Sequence, residues 1–294
     1  MYNYPMKILI VNEKYDNKKL IDFLKGNFPA LSNSTIYKTL RKKDIKINDK
    51  RISDNCLLQN GDEIKIYITD NILNPEVEIP VEYEDENIIV YNKPAGIEVL
   101  GENSLTDYAK KHVTSYIEPC HRLDRNTSGL IVFAKNESSH KTLLSAFENH
   151  LIVKHYRAMI YGIPKEKSRK LKAYHFKDAK KSLVYISDKP VPKYKEIITS
   201  YTVIQSNKEK NLSLLDIVIE TGRTHQIRAH MAHIGFPIIG DGKYGINSIN
   251  KFYKEKKQML TSYSLSFNIP SSDRLSYLNK ITIKQKQNPF MEFI

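Results

Sequence analysis

The spacing of apolar and polar positions divides the chain into short strands and a few amphipathic helices. Residues 7–11 (Lys-Ile-Leu-Ile-Val) read as an opening strand, and Leu20–Leu24 begins a helical pattern that ends around Gly26 and Pro29. A second helix follows, capped by the hydroxyl of Ser32 or Ser34, with Ile36 and Leu40 on one side at i, i+4. Residues 45–48 and 63–68 alternate as strands, with turns at Asn48-Asp49-Lys50 and at Gly61-Asp62. Residues 71–80, of mixed polarity with Pro75 and Pro80, have the composition of a linker. Beyond them, residues 88–91, 130–134, 153–162 and 213–220 have strand patterns, and Asn136–His150 reads as a helix with Leu143, Leu144 and Phe147 apolar. A last helix, capped by Thr224, sets Ile227, Met231 and Ile234 at i, i+4, i+7 and is stopped by Gly235 and Pro237. The mixture predicts an α+β chain.

At 294 residues there is room for one large domain and a small one. The boundaries read as a small domain over 1–72, a linker over 73–80 and a larger domain over 81–294. A formal net charge of +13 favours a polyanionic partner, with nucleic acid ahead of an anionic membrane. The charge is concentrated. Residues 38–51 carry seven basic residues against two acidic, whereas residues 1–80 as a whole carry thirteen against eleven. Lys38, Arg41 and Lys42, at i, i+3, i+4, form a stripe that Lys46 and Arg51 extend. Such a stripe is either a phosphate-contacting face or a solvated one. Residues 163–210, with thirteen basic against five acidic, read as an RNA-facing insertion or a solvated flexible hairpin. Two distant cysteines, Cys56 and Cys120, exclude a disulfide framework and a cysteine-based zinc site, and suit the cytoplasm. No apolar run approaches the roughly 18 residues of a membrane span, so no membrane partner is expected.

Four segments carry candidate chemistry. Residues 121–130 (His-Arg-Leu-Asp-Arg-Asn-Thr-Ser-Gly-Leu) place Asp124 between Arg122 and Arg125, ahead of a buried-type strand. Flanking guanidiniums favour the ionised carboxylate, suited to act as nucleophile or base; equally, an Asp before Asn-Thr-Ser-Gly is a turn residue bonding its own backbone. Residues 221–230 (Thr-Gly-Arg-Thr-His-Gln-Ile-Arg-Ala-His) are followed by Gly-Asp-Gly-Lys-Tyr-Gly at 240–245. They put Arg228 in the first turns of a helix, where the dipole disfavours a cation by about 0.3–1 kcal/mol. An anionic neighbour is therefore expected, either a carboxylate or a phosphate. Residues 84–96 break a strand at Asn-Lys-Pro-Ala-Gly, where Lys93 meets phosphate or solvates the turn. Tyr156, in Lys-His-Tyr, is either a core tyrosine with a satisfied hydroxyl or a site residue. His225, His230 and His233, spaced 5 and 3 apart with no acidic residue among them, do not make a metal site.

The segments at 121–130 and 221–245 resemble the two signatures of the RluA-type pseudouridine synthases, and 84–96 resembles the opening of their catalytic domain. Residues 14–70, with two helices, a basic stripe, Ile-Asn-Asp-Lys-Arg and Asn-Gly-Asp-Glu-Ile, resemble the small alpha-L RNA-binding module of a ribosomal small-subunit protein (the S-four type). The chain departs from the family near Met259-Leu260-Thr261-Ser262 and Ile269-Pro270, where Leu-His and His-Pro pairs are usual. The resemblance implies a mixed, largely antiparallel sheet with flanking helices and a central cleft, preceded by the small RNA-binding domain. It also implies a cofactor-free, metal-free isomerase that cleaves the glycosidic bond of uridine, turns the uracil and rejoins it through carbon 5. Asp124 would attack the anomeric carbon or deprotonate the neighbouring ribose carbon. Arg122 would fill the stack vacated by the flipped base, and Tyr156 would lie against that base and help remove the carbon-5 proton. Arg228 would pair with Asp124. The expected partner is ribosomal RNA, with tRNA as second candidate, and the expected enzyme is a cytoplasmic monomer. A non-catalytic RNA-binding or ribosome-assembly factor is the alternative, and the intact trio Asp124, Tyr156 and Arg228 argues against it.

Overall fold

Near the N-terminus, apolar side chains from two helices and a small sheet close one core. The elements are β1 (Lys7–Ile10), α1 (Leu20–Asn27), α2 (Asn33–Arg41), β2 (Ile45–Ile47), β3 (Lys50–Arg51) and β4 (Glu63–Ile66), with the antiparallel strand order β1-β4-β2-β3. Ser32 caps α2, its hydroxyl accepting from the Thr35 N–H at 3.1 Å. Asn48 and Asp49 both take positive φ, 48° and 64°, so the β2–β3 turn has the primed geometry that matches strand twist. Phe23, Leu24, Ile36, Leu40, Ile45 and Ile64 fill the core.

The structure, a computed structural model, describes residues 7–29, 31–67 and 78–294. The chain divides into two compact units, Met1–Glu78 and Ile79–Ile294. Of the linker expected at 73–80, residues 73–77 lie outside the described residues.

The second unit is built on an eleven-stranded sheet. Its elements begin with β5 (Val81–Glu84), β6 (Ile88–Lys93), α3 (Leu105–His112), β7 (Glu118–Pro119), β8 (Ser128–Ala134) and α4 (Glu137–Glu148). They continue through β9 (Ile152–Tyr161), β10 (Ser168–Asp178), β11 (Leu183–Ser187), β12 (Lys195–Asn207) and β13 (Leu212–Ile219). The chain closes with α5 (Gln226–His233), α6 (Asn247–Phe252), β14 (Leu260–Phe267) and β15 (Thr282–Lys284). The order is β11-β10-β12-β13-β9-β14-β8-β6-β5, with β15 on β14 and β7 on β8, and the β8–β14 pairing is parallel while the others are antiparallel. Ile131 and Phe133 of β8 pack with Leu105 of α3, while Leu130, Val132 and Ala134 pack with Leu143 of α4. Both faces of the central strands are covered, which is why they read as unbroken apolar runs. Leu144, expected on the inner side of α4, is 45% exposed. Among the described residues, no helix is long and apolar enough to cross a membrane.

Two expectations are corrected. Residues 163–210 are not a flexible hairpin: most of them form β10, β11 and β12, hydrogen-bonded in register into the main sheet. Part of their charge is paired, as in Lys170–Glu220 at 2.6 Å and Lys172–Glu196 at 2.8 Å. Lys93 meets neither phosphate nor solvent. It is fully buried at the end of β6, and its ammonium donates to the carbonyls of Ile97 (2.9 Å), Arg125 (3.0 Å) and Pro94 (3.1 Å). Three acceptors satisfy its three donors, although burial pushes its pKa down to about 8.

Gly129 permits the parallel contact of β8 with β14. Its φ is +110°, and an added Cβ would lie 2.3 Å from the Ser262 carbonyl oxygen and 2.5 Å from its nitrogen, so any side chain must push two strands apart. Gly129→Ala is therefore expected to destabilise the protein by roughly 2–4 kcal/mol in urea unfolding; an unchanged midpoint would contradict this packing.

Candidate active site

Asp124 stands in the loop that feeds β8. The turn there is made by backbone, with the Thr127 N–H donating to the Asp124 carbonyl at 3.1 Å. The Asp124 side chain is not used as a turn cap: its Oδ2 accepts from Arg228 Nη1 at 3.1 Å, and its Oδ1 has no hydrogen-bond partner among the described residues. The flanking arginines do not hold it. Arg125 Nε donates to the Gly96 carbonyl at 2.9 Å, and among the described residues the exposed Arg122 makes no ion pair. Sequence neighbours of Asp124 thus anchor other parts of the loop, and a residue 104 positions away supplies the counter-charge.

Arg228 lies in the first turn of α5 with its side chain only 7% exposed. Its principal anion is Asp241, which the sequence reading missed. Nε donates to Asp241 Oδ2 at 2.7 Å and Nη2 to Oδ1 at 3.0 Å, a bidentate pair. The Asp241 carboxylate is fully buried and its Oδ1 also accepts the N–H groups of Lys243 (2.8 Å) and Tyr244 (3.1 Å). Burial pushes this carboxyl up, but the Arg228 hydrogen bonds and charge, with those two N–H groups, outweigh it and hold the pKa below the usual value. One guanidinium therefore faces two carboxylates. The signal was present in Gly-Asp-Gly-Lys-Tyr-Gly, an Asp between glycines, but nothing local showed that it would be buried.

Thr224 does not cap α5. The cap position is His225, in left-handed backbone at φ 52° with no side-chain cap. Gln226 closes the turn instead, its Oε1 accepting from the Thr221 hydroxyl at 2.9 Å and the Arg223 N–H at 3.1 Å. This backbone brings His225 Nε2 to 3.8 Å from Asp124 Oδ2, with Nδ1 2.9 Å from the Tyr244 hydroxyl. Burial lowers the imidazole pKa, opposed by the charge of Asp124 and helped by Arg228 and Lys243, so His225 is neutral near pH 7. His230 instead meets the Thr199 hydroxyl at 3.0 Å and His233 meets Asp188 at 2.9 Å. Among the described residues, no group of three His, Cys, Asp or Glu is placed to hold a metal ion.

Tyr156, on β9, is buried, and its hydroxyl has no hydrogen-bond partner among the described residues. It lines a cavity of about 690 Å³ together with Asp124, Arg228, His225, Phe147 and Lys154. Burial, and then the charge of Asp124, raise its pKa, so the phenol stays protonated. A second cavity of about 460 Å³ shares Arg122, Asp124, His225 and Arg228 and adds Arg125 and Lys243. Asp124 thus borders both spaces, whose volumes fall in the range of small-molecule sites. The remaining expected residues lie in the N-terminal unit. Lys38 and Arg41 are exposed on α2 and Lys42 just past its end, and Lys46 and Arg51 are cross-strand neighbours on β2 and β3. Arg51 donates to the Lys43 carbonyl at 3.2 Å, joining that hairpin to the end of α2.

Residues 87–233 match the family model of RNA pseudouridylate synthase. The chain belongs to this family and is an isomerase acting on RNA. It is 32% identical to ribosomal large subunit pseudouridine synthase C of Buchnera aphidicola subsp. Acyrthosiphon pisum (strain APS), over 95% of this chain and 93% of that protein. It is 34% identical to the protein of the same name from Rickettsia bellii (strain RML369-C), over 84% and 89%. Among solved structures, human RNA pseudouridylate synthase domain containing 1 superposes with a TM-score of 0.61 at 20% identity, covering 71% of this chain and 84% of that one, which shows the shared fold.

Asp241→Asn removes one charge of a buried pair, and the expected loss is about 3–5 kcal/mol at pH 7. A carboxyl held below its unfolded pKa of about 3.9 contributes stability above that value and loses it as pH falls through the lowered one. Thermal melts of wild type and variant should therefore converge from about pH 4 downwards; a constant gap would contradict the pairing.

Proposed function

We propose that this chain isomerises uridines of large-subunit ribosomal RNA, with Asp124 as the catalytic carboxylate, Tyr156 against the base and Arg228 positioning Asp124. The observation that carries this reading is the arrangement of Asp124: Oδ2 held by Arg228, Oδ1 without a partner among the described residues, and the unpartnered hydroxyl of Tyr156 in the same cavity. A target base inside a helix must be flipped out, at a cost of a few kcal/mol. Arg122, exposed beside both cavities, is placed to fill the gap left in the stack. With the nucleoside in the cavity, the free oxygen of Asp124 attacks C1′ or removes the proton of C2′; both routes use the same carboxylate. Tyr156 offers the uracil an apolar face. Its hydroxyl, without a hydrogen-bond partner among the described residues and inside the same cavity, is also the candidate to help remove the carbon-5 proton.

The ribosomal target is supported by the two relatives, whose names specify the large subunit, and it sets the reaction in the cytoplasm. The N-terminal unit is read as the S-four-like RNA-binding module. Its support is the exposed cations of α2 and the β2–β3 hairpin, joined by the Arg51–Lys43 bond into one basic face.

Two measurements test this reading. Asp124→Ala should lower tritium release from ribosomal RNA carrying uridine labelled at carbon 5 by at least about 10³-fold, the scale of losing a catalytic group, while RNA binding persists. Wild-type-like turnover would remove Asp124 from the mechanism. Replacing Lys38, Arg41 and Lys42 with Ala should weaken RNA binding and flatten its log-log salt dependence by about 0.7–0.9 for each phosphate no longer neutralised, with kcat preserved. An unchanged salt slope would leave α2 as a merely solvated face.

A further inference from the structure

Lys154 and Tyr156 lie two residues apart on β9, and both line the larger cavity. The intervening His155 and the following Arg157 pair with Asp216, at 2.8 and 3.1 Å. Alternation along the strand therefore sets Lys154 beside the tyrosine, about 6.6 Å along the same wall. Lys154 is half-buried, with its Nζ 5.6 Å from the centroid of the Phe147 ring, and His121 packs tilted against that same ring at 4.3 Å between centroids. Burial lowers His121 to a pKa of about 3, so this neighbour carries no charge. Glu148 lines the cavity but forms no ion pair with Lys154, and among the described residues the ammonium has no hydrogen-bond or ion-pair partner. Burial accordingly lowers its pKa as well.

A half-buried cation without an anion costs free energy unless a ligand supplies the missing charge. RNA offers two candidates, a phosphate or the uracil. Exposed cations line the same cavity for phosphates, namely Lys177 and Arg223. Lys154 is set back from them, beside the residue that faces the base. The chemistry also lacks a partner on the base side. When the N1–C1′ bond breaks, its electron pair stays on the uracil, spread over N1, O2 and O4. Arg228 is committed to two carboxylates, and Tyr156 is a neutral phenol.

We propose that Lys154 is a catalytic cation that stabilises the uracil anion formed on glycosidic cleavage. The ammonium donates to the departing ring and keeps its protons throughout. The uracil turns and carbon 5 supplies the electron pair of the new C5–C1′ bond, as C1′ releases the Asp124 oxygen or, on the other route, as C2′ takes its proton back from Asp124; the carbon-5 proton passes to solvent, and N1 takes up a proton. A fixed charge in a sheltered cavity acts on such an anion far more strongly than in water. The proposal rests on the reading of Tyr156 as the wall against which the uracil lies.

The test uses the full chain with Lys154→Met, Lys154→Gln and Lys154→Arg, each checked by thermal melting, on the tritiated ribosomal RNA. The neutral variants should lose about 10²–10³-fold in kcat, the scale of removing one oxyanion donor, with KM and the salt slope unchanged. Arginine should recover part of the loss. On RNA containing 5-fluorouridine, whose fluorine itself stabilises the uracil anion, the defect in consuming the nucleoside should shrink. Wild-type kcat in the neutral variants would overturn the proposal, as would an arginine variant no better than methionine. Equal defects on both uridines, with a raised KM and a salt slope reduced by about 0.7–0.9, would reassign Lys154 to a phosphate. A wild-type protein that releases no tritium would overturn the reading of function on which the proposal stands.

Discussion

The buried guanidinium of Arg228 is the group on which the site depends. Its position in the first turn of α5 sets it against the helix dipole, and its burial would be untenable without anions. Asp241 supplies the geometry: a bidentate carboxylate, itself held by two backbone N–H groups. Because that pair is already neutral, the third donor on Arg228 restrains one oxygen of Asp124 without cancelling the charge of both carboxylates. The result is an anion that is oriented but not consumed. A simple two-member salt bridge would leave the guanidinium fewer fixed contacts and Asp124 more strongly neutralised.

The loop carrying Asp124 is fixed from several directions, and this is what makes its orientation meaningful. Lys93 donates from the core to the Arg125 carbonyl, and the Gly96 N–H meets that same oxygen at 2.8 Å. Arg125 returns a bond to the Gly96 carbonyl, and Gln258 donates to the Thr127 hydroxyl at 2.8 Å. Gly129 then lets β8 approach β14 at the point where the loop becomes strand. These contacts come from β6, the segment ahead of β14, and the loop itself. A carboxylate positioned by backbone bonds and buried donors loses little orientational entropy at the moment of reaction.

Sequence reading succeeds where a local rule decides. Unbroken apolar runs marked β6 and β8 because both faces of the sheet are covered, and Asn136 marked the start of α4 because its side chain caps that helix. It failed where the deciding partner is distant or where charge hides a pattern. In β10, Leu171, Ala173 and His175 are buried while Lys170 and Lys172 on the other face are exposed, an alternation that the lysines obscure. Read by composition, that segment looks solvated; read by period, it is a strand. Lys93 misleads in the same way, since nothing in Asn-Lys-Pro-Ala-Gly shows three converging carbonyls. Asp241 and His225 belong to the site through a buried contact and a left-handed residue, and neither has a signature in residue type alone.

The distribution of positive charge divides capture from chemistry. Lys38 and Arg41 are exposed on α2 and Lys42 just past its end, and Arg122, Lys177 and Arg223 are exposed where they line the cavity. In the proposed function Lys38, Arg41 and Lys42 meet phosphates, interactions that salt screens over about 8–10 Å. Arg228 is shielded by protein and bound to two fixed carboxylates, so mobile ions barely reach it. Holding RNA and orienting Asp124 therefore respond to different conditions. An isomerisation on RNA needs that separation. The cations that attract a polyanion cannot also be the ones that hold a carboxylate in place, or each phosphate would compete with Asp124 for its guanidinium. Asp241 limits that competition: by holding Nε and Nη2 of Arg228 from inside the protein, it fixes the guanidinium with Nη1 turned to Asp124 and takes the side-on edge from an incoming phosphate.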